Sequence, residues 1–143
     1  MTKRLCGAWI VLLLAVGCQR APEATYPVSG MVQLDGRPLV LPERHYSGTV
    51  VFASETTDAR GESYTARGLI ASDGSYRLTT FHDGDGAVAG KHRVAVMISQ
   101  MSEGPAVAAP HVPPAYQSPG TSGIEVEVHR DANRIDLPVQ SRP

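Results

Sequence analysis

The sequence predicts an all-β domain, a seven-stranded Greek-key β-sandwich. Short runs that alternate apolar and polar residues recur from residue 28 onward, which is typical of strands with one buried face. Asp-Gly pairs and other turn residues separate these runs. Beyond the amino-terminal apolar run, no stretch has a helical period, and 143 residues leave room for one such domain.

One hairpin is expected to form the centre of this sandwich. Residues 76–80 and 94–98 alternate apolar and polar side chains. The segment between them is rich in glycine and aspartate, which is typical of a loop that joins two strands. We therefore expect these two strands to pair with each other.

The remaining strands follow the same alternation, and the total of seven has the spacing of immunoglobulin-like sandwiches. An Asp35-Gly36 turn ends the first strand, and Pro27 near its start favours an edge position because proline lacks an N–H. An Asp73-Gly74 turn should join the third strand to residues 75–80 in antiparallel pairing. The last two strands should form a hairpin. These five strands are predicted at residues 26–34, 49–53, 66–71, 124–128 and 135–139.

Three segments lack this alternation and are predicted to be connections. Residues 39–48 and 54–64 contain polar runs without an apolar period, so we expect surface loops. Residues 104–120 contain five prolines, which exclude a helix or a central strand. We expect this third segment to cross between the two sheets in extended form.

The apolar phase of the strands predicts which side chains are buried. On packed sheets the inward residues of facing strands contact one another and lose access to water. We therefore expect the least accessible side chains to include Tyr76, Val94, Val96, Val126 and Leu137.

The amino terminus has the features of a bacterial export signal. Lys3 and Arg4 precede an uncharged apolar run that is too short to span a bilayer, and small residues end it before Cys18. This junction resembles the lipobox of lipoproteins, in which Cys18 would become the acylated, palmitate-bearing first residue; Ala15 stands where that motif prefers leucine. The alternative is ordinary cleavage that leaves Cys18 as a free thiol.

This interpretation divides the chain into three parts: a signal peptide at residues 1–17, a lipidated tether at 18–25 and the sandwich domain at 26–140. Cys6 is lost with the signal, so the mature domain would contain no disulfide. Removing Lys3 and Arg4 from the 13 basic residues leaves 11 against 14 acidic ones, a net charge of −3. A chain of this charge lacks the clustered basic face of a nucleic-acid-binding protein.

Seven short motifs lie along the predicted mature chain, at residues 27–30, 34–39, 73–76, 84–87, 90–94, 113–116 and 121–124. In this order they resemble the motifs of a family of short bacterial lipoproteins with a carboxypeptidase regulatory-like, or transthyretin-like, domain. The similarity covers essentially the whole mature chain. It implies a prealbumin-like β-sandwich on an exported protein, anchored by lipid to a bacterial membrane and facing the periplasm or the cell exterior. It implies no particular chemistry and no cofactor.

Aspartate and glycine residues at the predicted turns are interpreted as structural. Glycine adopts the positive φ angles that such turns need, and aspartate accepts hydrogen bonds from turn N–H groups. Calcium binding by Asp83 and Asp85 is an alternative, although this segment lacks the further ligands of an EF-hand loop. The structural turn residues are Asp35, Gly36, Asp73, Gly74, Asp85, Gly86 and Gly90.

The sequence contains no recognisable catalytic or zinc-binding pattern. No nucleophile elbow or metalloprotease motif is present, so we expect a protein that is not an enzyme. The histidines have no ligand spacing and no nearby cysteine, so we expect them on solvated loops and strand faces. They are His45, His82, His92, His111 and His129.

The functional expectation is a lipid-anchored, non-catalytic envelope module for adhesion, scaffolding or partner binding. The main alternative is a glycan or small-ligand binding domain, and an enzyme is a distant third. An exposed cluster of tyrosines on one sheet face would favour the glycan alternative, whereas an apolar patch or an unpaired edge strand would favour protein association.

The lipid anchor leads to the first prediction. Cys18→Ser should abolish lipid labelling and release the protein from the membrane fraction, because we expect no other segment of the mature chain to insert into a bilayer. Metabolic labelling with a fatty acid and membrane fractionation measure both effects. Unchanged membrane retention of the variant would contradict the lipoprotein interpretation.

Overall fold

The computed structural model describes residues 23–42, 44–101, 108 and 110–142, and these residues form an almost entirely β structure. They contain no α-helix, and a single-turn 3-10 helix spans Pro114–Gln117. The strands are β1 (Thr25–Tyr26), β2 (Val28–Leu34), β3 (Arg37–Pro38), β4 (Tyr46–Thr57), β5 (Ser63–Ile70), β6 (Ser75–Arg77), β7 (Ala87–Val88), β8 (Gly90–Gln100), β9 (Ile124–Val128), β10 (Asn133–Arg134) and β11 (Leu137–Val139).

Most strands belong to one hydrogen-bonded path in the order β10-β2-β6-β5-β4-β8-β9. Strands β3 and β11 also pair with β2, and β1 pairs with β7 in a separate two-stranded sheet. Pairing is antiparallel except where β10 and β11 run parallel to β2. The predicted all-β class is therefore confirmed, with curled and mainly antiparallel sheets.

One hydrophobic core joins strands from both ends of this path. Side chains of β2 and β11 pack in the same cluster as those of β4, β8 and β9, so the sheet curls around them. Val94, Val96 and Leu137 are fully buried and Tyr76 nearly so, as predicted. Val126 is only partly buried, which corrects that prediction. The physical reason is local: Val126 lines a surface depression beside Leu137 and Pro138, so water reaches part of its side chain, whereas Val128 on the same strand is buried.

Strands β4 and β8 are longer than the alternation predicts. They pair continuously from Tyr46 opposite Gln100 to Ser54 opposite His92. The predicted loops at 39–48 and 54–64 are therefore too long, because a long-range partner extends β4 into sequence with a weak local pattern. The turn between β4 and β5 is confined to residues around Asp58.

The predicted central hairpin is wrong. Strands β6 and β8 are not neighbours, because β5 and β4 lie between them in the sheet. The glycine-rich segment instead folds into a compact turn and then forms β7, which pairs with β1. By contrast, the predicted antiparallel pairing of β5 with residues 75–80 is confirmed, with Ile70 opposite Tyr76.

Two predictions at the ends of the domain are also wrong. Strand β9 pairs with β8, whereas β11 pairs with β2, so the last two strands form no hairpin. Burial of Leu137 and Val139 in the shared core favours this arrangement over local pairing. Strand β2 is internal rather than an edge strand; Pro27 is tolerated because it precedes β2 and supplies its carbonyl to the N–H of Asn133 at 2.8 Å. The predicted extended form of residues 104–120 is wrong at Pro114–Gln117, which form a 3-10 turn that tolerates proline in its first positions. Residues 104–107 and 109 of that segment lie outside the described residues.

Burial of the inward phase leads to a stability prediction. Val96→Ala should lower the free energy of unfolding by about 1–3 kcal/mol, because it removes buried methyl groups and leaves a cavity. Leu69→Ala is the control on another strand of the same sheet, β5, since Leu69 is 74% exposed. Chemical denaturation should show little change for the control. Equal losses in the two variants would contradict the assigned register.

Candidate functional site

The outer face of the sheet carries an aliphatic row that is open to water. Side chains on a strand alternate between its two faces, so residues between the buried ones of β4, β5 and β8 point outward. Thr49 lies opposite both Leu69 on β5 and Met97 on β8. Leu69 is 74% exposed and Met97 is 40% exposed. Together with Arg67 and Arg77, which lie beside them, we call these residues the outer patch.

A surface depression of about 540 Å³ lies at the β6 side of this row. This volume is within the range of small-ligand sites, roughly 300–1,000 Å³. The backbones of Arg67 and Thr79 exchange two hydrogen bonds of 2.9 and 2.8 Å, which fixes the wall that both residues form. The lining residues are Thr49, Arg67, Gly68, Leu69, Arg77, Thr79 and Asp83.

Gly84 determines where the Arg77 side chain lies. Gly84 has a φ of 67°, a conformation that disfavours a β-carbon, and its N–H donates to Oγ1 of Thr79 at 2.9 Å. The guanidinium of Arg77 occupies the space in which a β-carbon on Gly84 would stand. Glycine at this position therefore provides both the turn and the surface on which Arg77 lies.

The two arginines of the depression have no ion partner within the part of the chain that the structure describes. Arg93, also on the outer face, differs because its Nε lies 2.6 Å from Glu55 and 3.9 Å from Glu125. Guanidinium groups bind carboxylates or phosphates through paired N–H donors. Arg67 and Arg77 are thus available for an anionic ligand, whereas Arg93 is already paired.

The turn after β6 is organised by the carboxylate of Asp85. Its Oδ1 accepts the N–H of Thr80 at 2.7 Å, and its Oδ2 accepts those of Phe81 and His82, each at 3.0 Å. Burial raises the pKa of Asp85, but these three hydrogen bonds together outweigh it and leave the pKa below its usual value. Gly86 follows with a φ of 92° and packs directly against the backbone of Tyr26.

The other predicted turn residues also lie in turns. Asp35 and Gly36 both have positive φ between β2 and β3, and Oδ1 of Asp35 accepts the N–H of Ser141 at 2.9 Å, which lowers the pKa of Asp35. The side chain and N–H of Ser75 both donate to Asp73, at 2.6 and 2.9 Å, and lower its pKa. Gly74 and Gly90 have φ of 87° and 122°.

Among the described residues, Asp83 and Asp85 do not join further side chains to form a cluster of calcium ligands. Three backbone N–H groups already occupy most of the roughly four acceptor sites of the Asp85 carboxylate, which leaves it little capacity for a metal ion. Asp83 lines the arginine depression instead. Within the described residues, no group of three His, Cys, Asp or Glu side chains could hold a metal ion.

The prediction that all histidines are solvated is wrong for His92. Its side chain is on the inward phase of β8 and only 1% exposed, with its ring 6.0 Å from that of Phe52. Nδ1 lies 3.0 Å from the carbonyl of Gly90, and the buried Nε2 has no hydrogen-bond partner among the described residues. Burial lowers the pKa of His92 despite the opposing effects of Gly90 and Glu55, so the neutral ring is favoured.

The five tyrosines do not form an exposed platform on the outer patch. Tyr76 is buried, and its hydroxyl donates to the carbonyl of Ile135 at 2.5 Å. The hydroxyl of Tyr64 donates to Asp58 at 2.7 Å and is the main reason that the pKa of Asp58 falls to about 2. Tyr26, Tyr46 and Tyr116 are partly buried and pack against the core.

Sequence analysis missed the arginine depression. Arg67 and Leu69 alternate with buried residues along β5, and Arg77 and Thr79 do the same along the next segment. This phase is visible in the sequence, but it indicates a shared site only once Ile70 is placed opposite Tyr76. The register of these two strands was therefore the missing information.

Comparisons with known proteins identify no family for this chain. No family model matches its sequence, and no curated protein matches it. None of the helices found in the described residues is long and apolar enough to span a membrane. The signal peptide and Cys18 lie outside the described residues and stay predictions from the sequence.

His92 leads to a prediction about pH. Its folded pKa lies below the unfolded value of 6.5, so the unfolded chain binds more protons below that pH. Its stabilising contribution should be complete above about pH 6.5 and fall as the pH drops toward the folded pKa. Denaturation between about pH 7.5 and 5 should show this loss, and His92→Leu should reduce the slope. The exposed control His129→Gln should keep it; the same slope in His92→Leu would contradict the assignment.

Proposed function

We propose that this protein is a lipid-anchored, non-catalytic module of a bacterial cell envelope that associates with a protein partner through its outer patch. The observation that carries the proposal is the patch itself, an aliphatic row open to water beside two arginines without ion partners in the described chain. Exposed apolar surface with a polar margin is typical of interaction sites. Arginine is enriched at protein–protein interfaces, which also favours an interaction site at this patch.

The finer architecture that we propose is the seven-stranded Greek-key sandwich of the prealbumin-like kind. Among the described strands, those of three or more residues are β2, β4, β5, β6, β8, β9 and β11. Among the described residues, β5 pairs with β6 and the residues that follow it only at Ile70–Tyr76 and Arg67–Thr79, whereas β4 and β8 pair over a much longer stretch. Division there would give layers β11-β2-β6 and β5-β4-β8-β9. The connections β2 to β4, β5 to β6, β6 to β8 and β9 to β11 would then cross between layers.

The lipid anchor in this proposal is supported by the amino-terminal sequence. Basic residues, an uncharged apolar run and small residues precede Cys18 in the order that bacterial lipoproteins use. The first strand begins at Thr25, so a short polar segment would separate the lipid from the sheet. The protein would thus be held close to the membrane on the periplasmic or outer side.

Photocrosslinking in the native envelope tests the association. A photoreactive residue at Met97 of the full-length lipoprotein should crosslink to protein, because Met97 lies in the outer patch. The matched control is the same residue at Val40, which is 65% exposed but lies in the β3–β4 connection. We expect a discrete crosslinked band from Met97 and none from Val40. No protein crosslink from Met97, or equal crosslinks from both positions, would contradict the proposed function.

A further inference from the structure

We propose that the depression between Arg67 and Arg77 binds one carboxylate of the partner, with an aliphatic side chain next to that carboxylate packing on Leu69 and Met97. This inference rests on the proposed function and specifies the chemistry of the partner at the same patch. The partner is a protein segment in which Asp, Glu or a chain terminus adjoins an aliphatic residue.

The depression offers several hydrogen-bond donors to a ligand. Arg67 comes from β5 and Arg77 from β6, so two guanidinium groups approach the depression from neighbouring strands. Oγ1 of Thr79 accepts the N–H of Gly84, which leaves its hydroxyl proton for a ligand. A carboxylate oxygen accepts such donors, and charge-assisted hydrogen bonds are stronger than neutral ones.

The net charge of the depression favours a ligand with one negative charge. Of the residues that the structure describes, two arginines and Asp83 are the charged ones that line it, and their charges sum to +1. A carboxylate carries one negative charge, whereas a phosphate group carries about −1.5 to −2 at pH 7. Asp83 would repel the additional charge of a phosphate. The depression therefore matches a monoanion better than a phosphate.

An apolar margin borders the depression. Leu69 lines the depression and is also part of the aliphatic row that continues through Thr49 to Met97. A ligand that places its carboxylate between the arginines thus has an apolar surface within reach of a neighbouring side chain. Burial of that surface contributes about 25 cal/mol per Å².

The lining favours a peptide over a sugar. None of the lining residues is aromatic, although sugar and nucleotide rings commonly stack on aromatic side chains. An acidic sugar would find the two guanidinium groups but no ring to pack on. The aliphatic row instead suits a side chain such as leucine or valine.

NMR titration of the full lipidated chain, 15N-labelled and held in detergent, tests this assignment. The probe is an acetylated and amidated Ala-Asp-Leu-Ala peptide, and its matched control is Ala-Asn-Leu-Ala, which lacks the carboxylate. The Asp peptide should shift the amide signals of β5 and β6 saturably. The Asn peptide should bind at least roughly tenfold more weakly, since a hydrogen bond to a charged group is lost.

Variants locate the binding within the protein. Arg67→Gln and Arg77→Gln should each weaken binding of the Asp peptide roughly tenfold. Arg37→Gln is the control, because Arg37 is an exposed arginine of β3 that does not line the depression. Circular dichroism should show the same fold for all three variants.

Four outcomes would overturn the inference. They are equal binding of the two peptides, binding of neither, unchanged affinity in both arginine variants, and tighter binding of inorganic phosphate or a galacturonate trisaccharide than of the Asp peptide. The last outcome would favour a phosphate or glycan ligand. These results are distinguishable from failure of the proposed function, which is measured by protein crosslinks at Met97 and does not depend on the carboxylate.

Discussion

The carboxylate of Asp85 holds together the part of the structure on which the outer patch depends. By accepting three backbone N–H groups, it closes the turn after β6 and fixes the path of residues 80–86. The same turn brings Gly86 against the backbone of Tyr26 and places Gly84 beneath the Arg77 guanidinium. One side chain thus connects the start of the domain, the sheet and the candidate binding depression.

Strands β4, β5 and β8 give the domain both its core and its candidate interface. Their inward phase carries Val50, Phe52 and Val96, which are fully buried. Their outward phase carries the aliphatic row and Arg67. Because β4 pairs with β5 on one side and β8 on the other, the positions of the outward side chains follow from packing on the other face. A rigid scaffold of this kind presents a binding surface without a large loss of conformational entropy.

Local sequence patterns predicted the strands better than their partners. Alternation identified which residues of β2, β5 and β8 face the core. The Asp73-Gly74 turn correctly indicated that the strands on either side of it, β5 and β6, pair with each other. The β6–β8 hairpin failed because the Asp85 turn sends the chain away from β6, and the last hairpin failed because Leu137 is buried against β2. Both failures depend on contacts between residues distant in sequence. Local alternation contains no information about them. The arginine depression was missed for the same reason, since it exists only in the register of β5 and β6.

The central claim is that the Asp85 turn fixes Arg77 through Gly84, and NMR order parameters of arginine Nε–H groups test it most directly. In the wild-type protein the order parameter of the Arg77 Nε–H should be higher than that of the exposed Arg37. It should approach roughly 0.85, the order parameter of rigid backbone groups. Gly84→Ala should abolish this order, because the added carbon occupies the guanidinium site. Gly61→Ala controls for backbone strain, since Gly61 has a φ of 81° and open space around it, and it should leave Arg77 ordered. An Arg77 as mobile as Arg37 in the wild type, or unaffected by Gly84→Ala, would contradict the claim.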